Sequence, residues 1–294
     1  MANNYKALQY GNLYDATKCT ACRGCMVACK NWNKLPAVIE EFKGNLDTHG
    51  DTNAHTFTII KFMEDTAANG MPVWRFVKRN CMHCDDPACM KACPRKALSK
   101  NEWGAVVKDY DKCVGCQYCA TACPFEIPKL AGAKDKVTKC TMCSERVNSG
   151  LDTNLKSDLK DADNPFKYFK PACAKTCPSG ALTFGKREDL MIEARKRVAY
   201  LQANGFPNAT IYGEKELGGL NNLYILGDTP DKYELPVNPQ VGSMVTGWQD
   251  YVKPWIGLLI PLALAGSAAS FFTTRLLKAK HEKITGGETH GTSH

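Results

Sequence analysis

Apolar and polar residues alternate with a period of two over residues 55–64 (HTFTIIKFME) and 72–78 (PVWRFVK). Ala68-Asn69-Gly70 between them is a turn signal, so the pair predicts a β-hairpin. Residues 95–112 (RKALSKNEWGAVVKDYDK) read as two short strands around Asn101–Gly104. Residues 148–170 are polar, and the segment 144–172 around them reads as a surface loop. A short strand is expected at 181–185 (ALTFG), then an amphipathic helix over 187–203. Leu190, Ala194, Val198 and Leu201 form the helix's apolar face, and Gly205 suits its stop. That spacing reads as core packing. Residues 209–226 predict two more strands, and 228–253 an extended arm with little pattern.

The pattern changes near the C-terminus. Trp255–Phe272 (WIGLLIPLALAGSAASFF) carries no charge, and the helix it predicts extends over 254–277. At about 1.5 Å per residue, it reaches the roughly 30 Å of a bilayer core. Trp255 suits one interface, while Arg275, Lys278 and Lys280 suit the other. Pro261 is tolerable in such a helix. Small residues at Gly257 and Gly266–Ser270 would let another membrane helix approach closely. Past the span, Arg275, Lys278, Lys280 and Lys283 outweigh Glu282, whereas before it Asp250 and Lys253 cancel. The positive-inside rule then places the tail, 278–294, in the cytoplasm and the rest of the chain in the periplasm of a bacterial inner membrane. The N-terminus shows neither a signal-peptide run nor a twin-arginine signal, so export as a passenger of a signal-bearing partner is expected.

The chain has 294 residues and 44% hydrophobic content, enough for a packed core. Its net charge of +8 comes from scattered lysines and arginines, without the basic, aromatic-interleaved patch of a nucleic-acid binder. No HExxH, G-x-S-x-G or phosphate-binding glycine loop occurs, which points away from a catalytic subunit.

The sixteen cysteines change the picture most. They fall into four runs: Cys19-x2-Cys22-x2-Cys25-x3-Cys29; Cys81-x2-Cys84-x4-Cys89-x3-Cys93-Pro94; Cys113-x2-Cys116-x2-Cys119-x3-Cys123-Pro124; and a split run, Cys140-x2-Cys143 with Cys173-x3-Cys177-Pro178. Three closely spaced cysteines wrap one cubane, and the fourth points to a second cluster. Runs therefore work in pairs, and four runs imply four [4Fe–4S] clusters. Structural zinc sites use more widely separated C-x2-C pairs, often with histidine. A structural zinc docking protein at the membrane is the alternative from another class. The second and third runs lie close in sequence and are expected to form one ferredoxin-like half; the first and fourth form the other. His83, inside the second run, is expected to be a hydrogen-bond donor beside the cluster or a surface residue, because the cysteine tally is complete without it.

The fold expected is α+β: two ferredoxin-like halves with hairpin insertions over residues 1–227, the arm, and one C-terminal transmembrane helix. The segments CMHCDDPAC, GCQYCATACPFEIPK, KCTMCSERV, CPSGALTFGKREDL and FPNATIYGEKELGGLNNLYIL resemble those of the iron–sulfur β subunits of molybdenum or tungsten oxidoreductases, with the closest likeness to membrane-bound formate dehydrogenase. The last segment lies outside the cysteine runs and is the most specific. The loop between Cys143 and Cys173 is longer than the family leads one to expect.

The resemblance implies ligand sets. Cys19, Cys22, Cys25 and Cys177 would hold the first cluster, and Cys29, Cys140, Cys143 and Cys173 the second. Cys81, Cys84, Cys89 and Cys123 would hold the third, and Cys93, Cys113, Cys116 and Cys119 the fourth. It further implies a catalytic α subunit with molybdenum or tungsten, a cytochrome b-type γ subunit with a quinone site, and a trimer of heterotrimers. The same wire could serve a membrane hydrogenase or a reductase of sulfur or sulfoxide compounds.

Overall fold

The computed structural model describes residues 9–42, 49–67, 69–132, 135–151 and 168–285. Two compact units divide after Gly242. In the first, the elements run β1 (Tyr10–Asp15), α1 (Gly24–Trp32), β2 (Ile59–Thr66), β3 (Pro72–Arg79), α2 (Ala88–Lys91), β4 (Leu98–Lys100), β5 (Val106–Lys108), α3 (Tyr118–Ala122), α4 (Ser144–Leu151), α5 (Ala172–Thr176), β6 (Leu182–Lys186), α6 (Arg187–Ala203), β7 (Thr210–Tyr212) and β8 (Asn222–Leu226).

A four-stranded sheet, ordered β6-β1-β8-β7, backs the cysteine runs. β1 lies antiparallel to β6 and parallel to β8. The period-two rule divides the sheet's side chains. Leu13, Leu223 and Ile225 meet Leu190, Met191, Ala194, Val198 and Leu201 of α6 in one core. Tyr14, Tyr212 and Tyr224 belong to the other core, together with the cysteines. The apolar face expected on 187–203 is therefore the face that covers the sheet. β1 escapes a reading of hydrophobic alternation because all six of its residues are buried. Gly11 is required there: an added Cβ would stand 2.1 Å from the Asn221 carbonyl oxygen.

The two predicted hairpins form, as β2–β3 and β4–β5. In the first turn, Ala67 N–H donates to Met71 O at 2.9 Å; Ala68 lies outside the described residues. The expected strands in 181–185 and 209–226 appear as β6, β7 and β8, with a 3₁₀ turn at Glu216–Gly218.

Several expectations change. The segment read as a loop over 144–172 begins as helix α4, because Val147 is wholly buried beside Trp103 and Met142. Residues 152–167 of that segment lie outside the described residues. The start of the expected arm is packed, not extended. A 3₁₀ turn at Pro230–Tyr233 carries Tyr233 into the cysteine-containing core, and Leu235 follows it. Polar residues around these two apolar anchors hide the packing from a pattern search.

The second unit contains α7 (Ser243–Thr246), a π-helical turn (Gly247–Val252) and α8 (Lys253–Thr285). α8 passes the expected end at 277, so the basic residues meant for a tail begin on the same helix. Residues 286–294 lie outside the described residues. Trp255–Lys278 is long and apolar enough to cross a membrane, and none of its apolar window is buried within the chain.

Candidate cluster-binding core

Each run places the first cysteine of its C-x3-C pair on a short helix, and α1 holds the second one too. Cys25 and Cys29 lie in α1, and Cys89, Cys119 and Cys173 lie in α2, α3 and α5. Proline disfavours helical conformation in the residue before it. Accordingly Cys123 and Cys177, each followed by proline, are extended (ψ 116° and 109°) and end their helices. Cys29 precedes Lys30, and α1 continues to Trp32. α1 packs against α5, and α2 against α3.

The residues between the cysteines repeatedly adopt left-handed backbone. Ala21, Arg23, His83, Gln117, Met142 and Cys143 have φ between 49° and 66°. Such reversals turn successive N–H groups toward one concavity, which suits an anionic group. Amides already point at sulfur, among them Ala21 N to Cys19 Sγ at 3.4 Å, Ala97 N to Cys93 Sγ at 3.2 Å and Met142 N to Cys140 Sγ at 3.3 Å.

All sixteen thiols are free. Burial, followed by the charges of Cys81, Cys123 and Cys89, raises the Cys84 thiol well above its ordinary pKa. Burial and then Cys140, Cys173 and Cys143 do the same to Cys29. Burial followed by Cys93, Cys116 and Cys113 raises Cys119 to about 11. Burial raises Cys25 to about 12, with Lys78 opposing and Cys173, Cys19 and Cys22 adding to the rise. The thiols thus gather into mutually repelling groups that favour the protonated form. Ionising a whole group needs a compensating cation, and an iron cluster supplies one.

The groups also act on one another through their charges. Cys173 acts on Cys25, Cys140 on Cys81 and Cys119 on Cys89. Cys22 and Cys116 are the two exposed cysteines. Cys93, Cys113, Cys116 and Cys119 line one small cavity with Arg95 and Lys108.

Buried polar groups accompany the thiols. His83 is wholly buried, which removes the surface reading. Its Nδ1 accepts from Val106 N–H at 2.9 Å, so Nε2 carries the proton, and that atom has no partner. Burial, then Lys139, Lys78 and Lys100, lowers its pKa and keeps the ring neutral. An orphaned buried donor among thiols fits a sulfur acceptor. Lys78 and Lys139 are also buried. Burial alone would lower Lys78, yet Cys173, Cys25, Cys140 and Cys29 outweigh it and raise its pKa. Sequence reasoning missed both lysines. Lys139 adjoins Cys140, which was a usable signal, whereas Lys78 reads as an ordinary polar strand position.

The segment 206–226 has a structural task. Asn221 N–H donates to His83 O and Asn222 N–H to Met82 O, both at 3.2 Å. Asp85 N–H donates to Gly219 O at 2.7 Å, and the Asn222 side chain donates to Cys81 O. These bonds hold the second run against β8, beside β1, which leads into the first run.

The fold and its thiol groups define an iron–sulfur protein of the dicluster ferredoxin class. The 4Fe-4S dicluster domain matches residues 18–97 and again 72–158. The nitrate-inducible formate dehydrogenase iron–sulfur subunit of Escherichia coli is 36% identical over 272 residues, covering 91% of this chain and 83% of the relative. The formate dehydrogenase 2 β subunit (cytochrome c-553) of Nitratidesulfovibrio vulgaris is 31% identical over 75% of this chain and 94% of its own length. The hydrogenase-2 operon protein HybA of Escherichia coli O157:H7 is 30% identical over 95% and 88%. The chain belongs to the family of formate dehydrogenase iron–sulfur subunits. It is an electron-transfer subunit with four [4Fe–4S] clusters, not a catalytic one.

Proposed function

We propose that this chain carries electrons from a formate-oxidising molybdenum or tungsten subunit to a cytochrome b-type membrane subunit with a quinone site. A [4Fe–4S] cluster held at each cysteine set would supply reversible one-electron chemistry. The ligand sets are Cys19, Cys22, Cys25 and Cys177; Cys29, Cys140, Cys143 and Cys173; Cys81, Cys84, Cys89 and Cys123; and Cys93, Cys113, Cys116 and Cys119. Runs one and four form one half, and runs two and three the other, in agreement with α1 packing on α5 and α2 on α3.

The carrying observation is the order of neighbours. The charge of Cys173 reaches Cys25, that of Cys140 reaches Cys81 and that of Cys119 reaches Cys89; Cys25, Cys81, Cys140 and Cys173 share one core, and Cys89 and Cys119 share another. These three junctions string the four sets into one line. Each end set has an exposed thiol, Cys22 or Cys116, and the inner sets have none. A line with buried middle and exposed ends suits delivery between two partner subunits. The surrounding amides, His83 and the buried lysines offset negative charge and adjust potentials.

α8 anchors the chain in a bilayer, with the tail in the cytoplasm and the cluster domain in the periplasm. Support comes from its uncharged span and from Arg275, Lys278, Lys280 and Lys283 at its end. The formate assignment draws on the 36% identical relatives. The likeness to HybA favours a second reading, the same wire in a hydrogenase complex.

The test is purification through this chain in mild detergent, with iron analysis, EPR of the reduced complex and mass spectrometry of its partners. About sixteen irons per chain, from four clusters of four, and reduction by formate are expected. Reduction by hydrogen alone selects the second reading. Little iron in an anaerobic preparation overturns the cluster assignment.

A further inference from the structure

Lys139 lies at the inner gap of this line. It is 4% exposed. Its Nζ donates to the Cys140 carbonyl at 2.9 Å and to the Val106 carbonyl, and reaches Cys81 Sγ at 3.8 Å. An ammonium has three donors and no acceptor. Three acceptors surround this one, and none is a carboxylate that would cancel its charge. The backbone behind it is held, because Thr138 and Lys129 exchange bonds of 2.8 and 3.0 Å. The cation is therefore fixed in a dry place between two ligand sets, where a charge acts more strongly than in water.

We propose that Lys139 is the potential-setting residue of the inner electron step, a fixed cation shared by the cluster of Cys81 and the cluster of Cys140. The proposal depends on the ligand sets given above. One electron leaves the group held by Cys140 and its partners and enters the group held by Cys81 and its partners. No bond forms or breaks, and no proton moves. A cation at the gap stabilises the extra electron on either side. It raises both inner potentials relative to those of the two end clusters.

The experiment is an EPR-monitored redox titration of the purified complex, wild type against Lys139→Met and Lys139→Arg. Iron content and four clusters in the wild type come first, and their failure would count against the ligand sets, not against Lys139. Lys139→Met is expected to keep its iron and to lower the two inner potentials. The expected drop corresponds to about a tenfold change in the oxidised-to-reduced ratio, ~59 mV for one electron. The end clusters should move less, and Lys139→Arg should titrate like the wild type. Unchanged inner potentials in a fully loaded Lys139→Met complex overturn the proposal, as does an equal shift in both variants. If Lys139→Met fails to assemble, the decision passes to wild-type complex labelled with 15N at the lysine side chain. A lysine nitrogen coupled to a reduced inner cluster in pulsed EPR, and lost in Lys139→Arg, is then expected. Its absence in the wild type overturns the proposal.

Discussion

The Tyr224 hydroxyl donates to the Lys78 carbonyl at 2.8 Å, across 146 positions of sequence, and lies 3.2 Å from Asn80 Oδ1. This bond joins the central strand β8 to the end of β3, just before the second cysteine run. The first prediction follows from it. Tyr224→Phe keeps the edge-on packing against Tyr14 and Tyr212, at 5.5 and 6.3 Å, but strips a buried carbonyl of its donor. A loss of about 1–3 kcal/mol is expected. Thermal unfolding followed by circular dichroism should show a lower midpoint, and an unchanged one would mean that water takes the donor's place.

Asp51 bridges the hairpin to the stretch after the third run. It pairs with Arg79 at 2.6 Å and Lys129 at 3.4 Å. Burial pushes its carboxyl up, but Arg79, the Thr52 amide and Lys129 outweigh burial and hold it below the ordinary value. The charged form is thus favoured by folding. Its contribution is complete above about pH 4, the unfolded value, and is lost as pH falls through the lower folded value. Asp51→Asn should cost roughly 1 kcal/mol at neutral pH for a partly exposed pair. The gap in thermal midpoint between variant and wild type should close under acid. A gap that persists under acid would assign the loss to packing.

Iron removal should leave thiols of very unequal reactivity. Burial pushes Cys143 and Cys25 up to about 12, whereas Cys22 and Cys116 are exposed. Iodoacetamide reacts with the thiolate. A short pulse at pH 8 on reduced, anaerobic apoprotein should label Cys22 and Cys116 first, by peptide mass mapping. Cys25 and Cys143 should gain rate as pH approaches 12. Uniform labelling would show that the thiol groups come apart without iron.

Leu264 lies within the apolar span of α8 and is exposed in the chain. Leu264→Lys puts a charge near mid-span, at a cost of about 2.5–3.5 kcal/mol. Carbonate washing of membranes should release more of the variant than of the wild type. Equal retention would mean that partner subunits, not lipid, hold the chain.

Local chemistry was legible wherever it repeats or alternates. The cysteine spacing identified every thiol of the candidate site. The period of 3.6 found α6 with its buried face, and the period of two found β2 and β3. The pattern failed where burial is complete on both sides. β1 has no polar face to set the alternation, and its register depends on β6 and β8 far along the chain. It failed again at Tyr233 and Leu235, two anchors in a polar stretch, and at Val147 in α4.

What the sequence by itself determined is the cofactor class, because thiol spacing acts within a few residues. Tertiary structure alone decided which thiol groups adjoin. It also placed Asn221 and Asn222 on the second run, and Lys139 between Cys140 and Cys81. Those relations come from contacts between distant segments. A lysine among solvated lysines becomes a fixed charge only when folding removes the water around it, and no local pattern records that.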